Sequence, residues 1–301
     1  MMQTLGDMGE DAVVARVVKV LNQRDSVVIG PGDDCAVVDI GKADTYMLLK
    51  TDCLVEGIHY ESDSSDPFRV GWKAVARVIS DFSAMGGIAD HLLVTIAMPP
   101  DTSIGYVENL YDGMQKCASL FDADICGGET SSVPIGSAAV ISIAGTGSVE
   151  KRRLVSRSGG KSGDVIFVTG TLGGSIQGKH LDFTPRVAEA RWLTENFKIG
   201  AMMDLSDGVA RDLPRLAEAS QCGYRIDSDM VPVNKGCDLH QALSDGEDYE
   251  LMFAVDSQIA DEVVKAWLKI FSATPLTKIG ELCDSGGGDR FEEDGWQHFS
   301  S

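Results

Sequence analysis

From end to end the chain alternates short apolar runs with stretches whose apolar residues recur three and four positions apart. That alternation restricts it to an α/β or α+β architecture. Val13, Val14, Val17, Val18 and Leu21 follow the acidic pair Glu10-Asp11, whose charges suit a helix N-terminus, so an amphipathic helix opens the chain. Cys35 to Val38 and Tyr46 to Leu49 read as strands joined by the turn Gly41-Lys42-Ala43-Asp44, which sets Asp34 and Asp52 at strand ends. Pro67, suited to a first helical turn, precedes Phe68, Val75, Val78, Ile79 and Phe82 as far as Gly86-Gly87, and Asp81 falls within that helix. A strand over Leu92 to Met98 stopped by Pro99-Pro100, a helix over Ile104 to Phe121 and a strand over Ala138 to Gly147 complete the first half.

A basic, glycine-rich stretch, Lys151 through Gly163, separates this half from a second that begins with a strand over Asp164 to Thr169. Helices follow at about Val187 to Asn196, Gly208 to Ser220 and Ser257 to Phe271, with strands near Ala201, Gly223 to Ile226, Tyr249 to Val255 and Thr277 to Leu282. Since 301 residues exceed one small domain, two domains are expected, 1–150 and 151–301.

The formal charge of −20 opposes binding to nucleic acid or anionic membranes, because clustered basic residues are needed to release counterions there. Any phosphate bound by such a chain needs cations as intermediaries. The seven cysteines are odd in number and form no C-x-x-C pair, which disfavours a disulfide scaffold or structural zinc and suggests reduced thiols in or near the core. No basic segment followed by an apolar run opens the chain, and no stretch approaches ~18 consecutive apolar residues. A cytoplasmic location without signal peptide or membrane span is the expectation.

Short acidic signatures stand out against this background: Gly32-Asp33-Asp34, Thr51-Asp52, Ser80-Asp81, Gly127-Gly128-Glu129-Thr130, Asp204-Leu205-Ser206-Asp207-Gly208 and Asp245-Gly246-Glu247-Asp248. Each alone has a structural explanation, turn chemistry in Pro31-Gly32-Asp33-Asp34 or a helix cap at Asp207 before Gly208. Together, carboxylates beside small residues suit Mg²⁺, which prefers oxygen ligands and brings substrate phosphates with it. Two such carboxylates ~4 Å apart repel by about 4 kcal/mol at an effective dielectric near 20, and a bound cation reverses the sign. Asp81, flanked by Val78, Ile79 and Phe82, is expected on or beside a buried helix face, where it needs a cation or a proton. Gly173-Gly174-Ser175-Ile176-Gln177-Gly178-Lys179-His180 has the glycine and lysine spacing of a P-loop. It ends in His180 rather than Ser or Thr, and Asp182 and Pro185 leave little room for the long helix a P-loop requires.

Read in order, Pro31-Gly32-Asp33-Asp34-Cys35-Ala36, Thr51-Asp52-Cys53-Leu54-Val55-Glu56-Gly57-Ile58-His59, Gly71-Trp72-Lys73-Ala74, Ser80-Asp81-Phe82-Ser83-Ala84-Met85-Gly86, Arg157-Ser158-Gly159, Asp204-Leu205-Ser206-Asp207-Gly208 and Gly246-Glu247-Asp248-Tyr249-Glu250-Leu251 resemble the thiamine-monophosphate kinase family. The resemblance covers nearly the whole chain. It implies a two-domain aminoimidazole-ribonucleotide-synthetase-like fold, α/β (α+β), whose N-terminal domain contributes to a dimeric β-barrel and makes the protein a homodimer. It also implies ATP-dependent phosphorylation of thiamine monophosphate to thiamine diphosphate by direct in-line transfer with Mg²⁺.

By the same resemblance Asp34, Thr51, Asp52, Asp81, Asp204 and Asp207 correspond to metal positions, with Glu129 standing where the family has Asp. Gly128, Glu129, Arg157 and Ser206 correspond to the nucleotide site, and His59, Glu247 and Trp296 to the thiamine monophosphate site; Asp52, Asp81 and Arg157 are assigned to catalysis. His59 has a second reading as a cap on the loop after Gly57, and Trp296 one as a terminal core aromatic. The chain departs from the family pattern at Lys50, where a small hydroxyl residue is usual, at Val78 for Asn, at Asp245 for Gly, and in a shortened Gly174 to Pro185 segment. These departures leave open a divergent paralogue that binds ATP and Mg²⁺ with another acceptor or without catalysis.

Overall fold

Strands and helices form where the apolar pattern puts them, with differences at the glycine-rich and charged stretches. A computed structural model describes residues 3–291 and 295–299. In chain order the elements are α1 (Leu5–Met8), α2 (Glu10–Val18), β1 (Val27–Ile29), β2 (Ala36–Val38), β3 (Thr45–Val55), α3 (Pro67–Ala84), β4 (Ile88–Met98), α4 (Ile104–Leu120), β5 (Asp124–Ser132), β6 (Val140–Glu150), β7 (Val165–Thr169), α5 (Val187–Asn196), β8 (Ile199–Asp204), α6 (Val209–Ala219), β9 (Gly223–Ile226), α7 (Leu239–Ser244), β10 (Leu251–Val255), α8 (Ala260–Ile270) and β11 (Leu276–Cys283). They divide into two compact units. One comprises Asp34–Ser156 with Gln177–Lys198, the other Arg157–Ile176 and the residues from Ile199 onward together with those up to Asp33. Two segments therefore lie outside a simple division near residue 150: the opening helices go with the later unit, and α5 with the earlier one.

In the earlier unit β2, β3, β6, β4 and β5 lie side by side in that order. All neighbours are antiparallel except β4 and β5, which run parallel. Helix α3 starts with Pro67 at its first turn and the Asp66 side chain accepting from the Phe68 amide, so one orphan N–H is satisfied and another is absent. It buries Val70, Val75, Val78, Ile79 and Phe82. Full burial of a side chain such as Phe82 is worth roughly 2–3 kcal/mol. α3 crosses α4 at two glycines in backbone contact, since a Cβ on Gly71 would lie 1.9 Å from the Leu110 carbonyl oxygen and one on Gly113 1.9 Å from that of Phe68. The other face of the sheet is open, and Leu49, Cys53 and Leu93 are exposed on it. Segment 177–198 is held by Trp72 Nε1 donating to the Phe183 carbonyl at 2.8 Å and by a bidentate Arg191–Glu150 pair at 2.6 and 2.7 Å.

Strand β3 is longer than its apolar run, because Lys50, Thr51 and Asp52 keep strict alternation and the strand pairs with β6 from Thr45 to Val55. Asp52 thus sits inside a strand and not at its end. β5 has only Ile125 and Cys126 as apolar side chains, too few for a strand pattern. Glycine is required there by the close strand approach, since a Cβ at Gly128 would fall 1.7 Å from the Val94 carbonyl oxygen. All seven cysteines are free, and Cys53 and Cys126 are exposed, unlike the buried Cys35, Cys117 and Cys283.

The later unit is a sheet in the order β8-β10-β7-β11-β9, antiparallel throughout. β7 and β10 are buried at every residue, which is why they read as continuous apolar runs rather than alternating ones. Leu213 and Leu216 of α6 join Met203, Met252 and Ile279 in the core. Among the described residues no helix is long and apolar enough to cross a membrane.

Candidate active site

In the earlier unit two periodicities place four charges opposite one another. Lys50 and Asp52 are two apart on β3 and share the face covered by α3; Arg77 and Asp81 are four apart on α3 and share its sheet-facing side. The pairs cross. Lys50 Nζ lies 2.8 Å from Asp81 Oδ1, and Arg77 Nε lies 3.6 Å from Asp52 Oδ2. Burial would lower the Lys50 pKa, but the Asp81 carboxylate and then that of Asp52 raise it above the ordinary lysine value, which favours the charged ammonium. Asp34, just before β2, is buried along with Asp81, and oxygens of the two carboxylates come within 4.8 Å. The cation that Asp81 was expected to need is therefore supplied in part by the chain itself.

Strand alternation separates other expected ligands from these. Thr51 is exposed on the open face, opposite Lys50 and Asp52, and Glu129 is exposed beside Thr95 in the β4–β5 register. Gly128 shares a cross-strand row with Val94, Ile143 and Asp52, three strand spacings or about 14 Å from Asp52. His59 is buried and its Nδ1 accepts from the Val55 amide at 3.0 Å, so the ring caps its own loop and, when neutral, carries its proton on Nε2. Lys73, fully buried, donates to the His59 carbonyl at 2.7 Å and fixes that loop to α3.

The later unit gathers Ser206, Asp207, Glu247 and Trp296 by backbone hydrogen bonds. The Glu247 amide donates to the Ser206 carbonyl at 2.7 Å, the Trp296 amide to that of Asp207 at 3.0 Å, and the Tyr249 amide to that of Leu205 at 2.8 Å. Gly246, at φ 70°, is what lets the two loops meet: a Cβ there would lie 2.9 Å from the Ser206 carbonyl oxygen. Trp296 is 45% exposed, so it is an available aromatic face and not a core residue. Asp204, at the end of β8, is buried.

Asp212 is the hub of that loop. Its carboxylate accepts from the Ser206 and Asp207 amides, both at 3.0 Å, while Arg215 holds Asp207 at 2.6 Å. Burial first and the Asp207 charge second push the Asp212 carboxyl up, against the pull of Arg215, the Asp207 amide and the Arg157 guanidinium. Arg157 is thereby placed within electrostatic reach of the loop, with its amide held by the Asp33 carboxylate at 3.1 Å. Arg211 and Arg215 both reach Asp11 at 3.0 Å and so bind α2 to α6.

The glycines resembling a P-loop are used internally. Gly173 donates its amide to Asp248 and Gly174 donates to Asp245, and Ser175 Oγ bonds Asp248 at 2.6 Å. Two short 3₁₀ turns follow in place of a helix. Asp245, unusual for the family pattern, thus has a structural task. Sequence reasoning marked Lys50 only as a departure beside Thr51-Asp52, without its Asp81 partner, and missed Arg77, Arg215 and the hub Asp212. The available signal was a lysine two residues before Asp52 on a strand, and arginines four residues before Asp81 and eight after Asp207 on helices.

Chemically, two buried carboxylates with oxygens this close are hard donors suited to Mg²⁺, which is commonly held by one or two carboxylates plus substrate phosphates. Residues 32–149 match the AIR synthase related protein, N-terminal domain, and residues 161–291 its C-terminal domain. The chain is 32% identical to the thiamine-monophosphate kinase of Rhodopirellula baltica, over 88% of this chain and 86% of that protein. It is 33% identical to the enzyme of that name from Escherichia coli, over 95% and 94%. The solved structure of AaThiL complexed with AMPPCP and TMP superposes with a TM-score of 0.85 at 28% identity, covering 99% of each chain.

Proposed function

From the premise that this chain belongs to the thiamine-monophosphate kinase family of AIR synthase related proteins and is a phosphotransferase, we propose that it transfers the γ-phosphoryl group of ATP onto thiamine monophosphate, giving thiamine diphosphate and ADP. The observation that carries this reading is the buried Asp34–Asp81 carboxylate pair on the motifs the family shares. Mg²⁺, when bound, would neutralise phosphate charge and so lessen the repulsion between two anionic substrates. Asp34, Asp52, Asp81, Asp204 and Asp207 are the residues proposed to hold it. Thr51 and Glu129, exposed on the open sheet face, are weaker candidates.

An oxygen of the acceptor phosphate forms the new bond to the γ-phosphorus as the bond to the β,γ-bridging oxygen breaks, and that oxygen's electron pair leaves with ADP. The acceptor is ionised near neutral pH, so no base is required, and no phosphoenzyme forms. Arg157 is proposed to stabilise charge on the transferring group. Gly128, which leaves the strand backbone bare, and Ser206 are proposed to contact nucleotide. Trp296, exposed and aromatic, is proposed to stack on a cationic thiazolium or a pyrimidine ring. His59 and Glu247 complete the acceptor site in this reading. The apolar, uncovered sheet face bearing Leu49 and Leu93 fits a second copy of the chain, completing a dimeric barrel. ADP release that requires both thiamine monophosphate and Mg²⁺ is the test; ADP release unaffected by omitting the acceptor would reject it.

A further inference from the structure

We propose that the Lys50 ammonium is a resident cation of the acidic site, occupying an Asp81 oxygen that would otherwise coordinate a divalent ion, so that this chain binds fewer metal ions than its carboxylates could accommodate. The inference rests on the proposal that these acids hold Mg²⁺. Lys50 Nζ sits 2.8 Å from Asp81 Oδ1, and the Lys50 and Asp81 side chains are only 21% and 9% exposed. Such a pair is too dry to be a solvated surface bridge. Asp34 brings a second buried carboxylate to within 4.8 Å of Asp81, and Arg77 faces Asp52 at 3.6 Å. Three carboxylates thus face two fixed cations.

A divalent ion at Asp81 Oδ1 would have to displace the ammonium or sit beside it. A divalent ion beside the ammonium would meet a repulsion twice that between two single charges at the same distance. Exclusion from that oxygen is the cheaper outcome, because the ammonium is tethered to β3 and meets no translational cost on arrival. The Asp34–Asp81 pair, with oxygens within 4.8 Å of one another, would hold the remaining ion. Lys50 is in this sense a positioning residue: it fixes the Asp81 rotamer and sets how much of the site's charge the solution must provide. The same ammonium stabilises the metal-free protein, since it partly neutralises carboxylates that would repel one another.

The experiment compares the full chain with Lys50→Thr and Lys50→Arg, using Mn²⁺ alone as the probe, bound ions being counted by paramagnetic resonance and the melting temperature read in chelator and in excess Mn²⁺. Lys50→Thr should bind about one more Mn²⁺ per chain than the parent. Its melting temperature in chelator should fall by ~4 °C or more and recover with Mn²⁺. Lys50→Arg, which keeps the charge, should match the parent in both readouts. An unchanged Mn²⁺ count in Lys50→Thr overturns the proposal, as does a gain of Mn²⁺ in Lys50→Arg. If the Thr variant folds in neither condition, the count for the Arg variant decides. A parent that binds no Mn²⁺ at all would instead defeat the metal reading on which the inference stands.

Discussion

The two acidic regions are built on opposite plans. Around Asp81, buried carboxylates are balanced by the side chains of Lys50 and Arg77 reaching across from facing elements, at 2.8 and 3.6 Å. Around Asp207 the hub acid is consumed by the fold: Asp212 takes two backbone amides, the Arg215 side chain pairs with Asp207, and a four-residue loop is zipped to its neighbour by main-chain bonds. Charge held by flexible side chains can be exchanged for charge brought by a ligand. Charge held by backbone amides cannot, because the orphaned N–H groups would have no replacement partner. The first plan suits a site that takes up cations; in the second Asp212 is committed to the backbone and presents Ser206, Glu247 and Trp296 in fixed positions, while Asp207, held by the Arg215 side chain, keeps charge of the exchangeable kind.

Substitutions separate the plans. Asp81→Asn should lower turnover by roughly 100-fold or more, through lost charge at the transferring phosphate, while the melting temperature changes by only a few degrees. Steady-state kinetics alongside thermal melting checks both parts, and a folded variant with parental turnover would remove Asp81 from the chemistry. Asp212→Ala should do the reverse in order of cause, losing about 2 kcal/mol or more of stability because the Ser206 and Asp207 amides lose their acceptor. A urea midpoint equal to the parent's would show that the loop is not held as described. Gly246→Ala, which combines φ 70° with a Cβ 2.9 Å from the Ser206 carbonyl oxygen, should cost ~1–2 kcal/mol and weaken acceptor binding more than nucleotide binding.

The smallest effect concerns the pair that anchors α5. Hydrogen bonding from Arg191 holds the Glu150 carboxyl down at about 2 against an ordinary 4.5. A depressed carboxyl stabilises the fold above its unfolded value, and that contribution disappears as pH falls from about 4.5 through about 2. With 37% of the Glu150 side chain exposed, solvent screening limits it to about 1 kcal/mol. Glu150→Gln should therefore flatten the acid limb of a melting-temperature profile; an unchanged acid limb would show that the pair contributes nothing.

The helices were legible because α3 and α4 carry long amphipathic patterns with proline or serine at the entry, and the buried strands β7 and β10 because both faces are apolar. β5 was not legible, since its strand character comes from close approach to Val94 and its sequence, Gly127-Gly128-Glu129-Thr130, is turn-like. Asp52 fell inside β3 because pairing with β6 extends the strand through polar residues whose period of two is invisible to a search for apolar runs. Acids were found by their motifs. Lys50 was noticed, but its pairing with Asp81 and the role of Arg77 were not, because these appear only when a strand and a helix bring periods of two and four into register.

Phosphorus NMR of a single reaction containing the chain, ATP, thiamine monophosphate and Mg²⁺ tests direct phosphoryl transfer most immediately. Loss of the ATP γ-resonance should be matched one for one by ADP and by the terminal phosphorus of thiamine diphosphate, and should stop on addition of chelator. Inorganic phosphate appearing in place of thiamine diphosphate, or a spectrum that does not change, would contradict it.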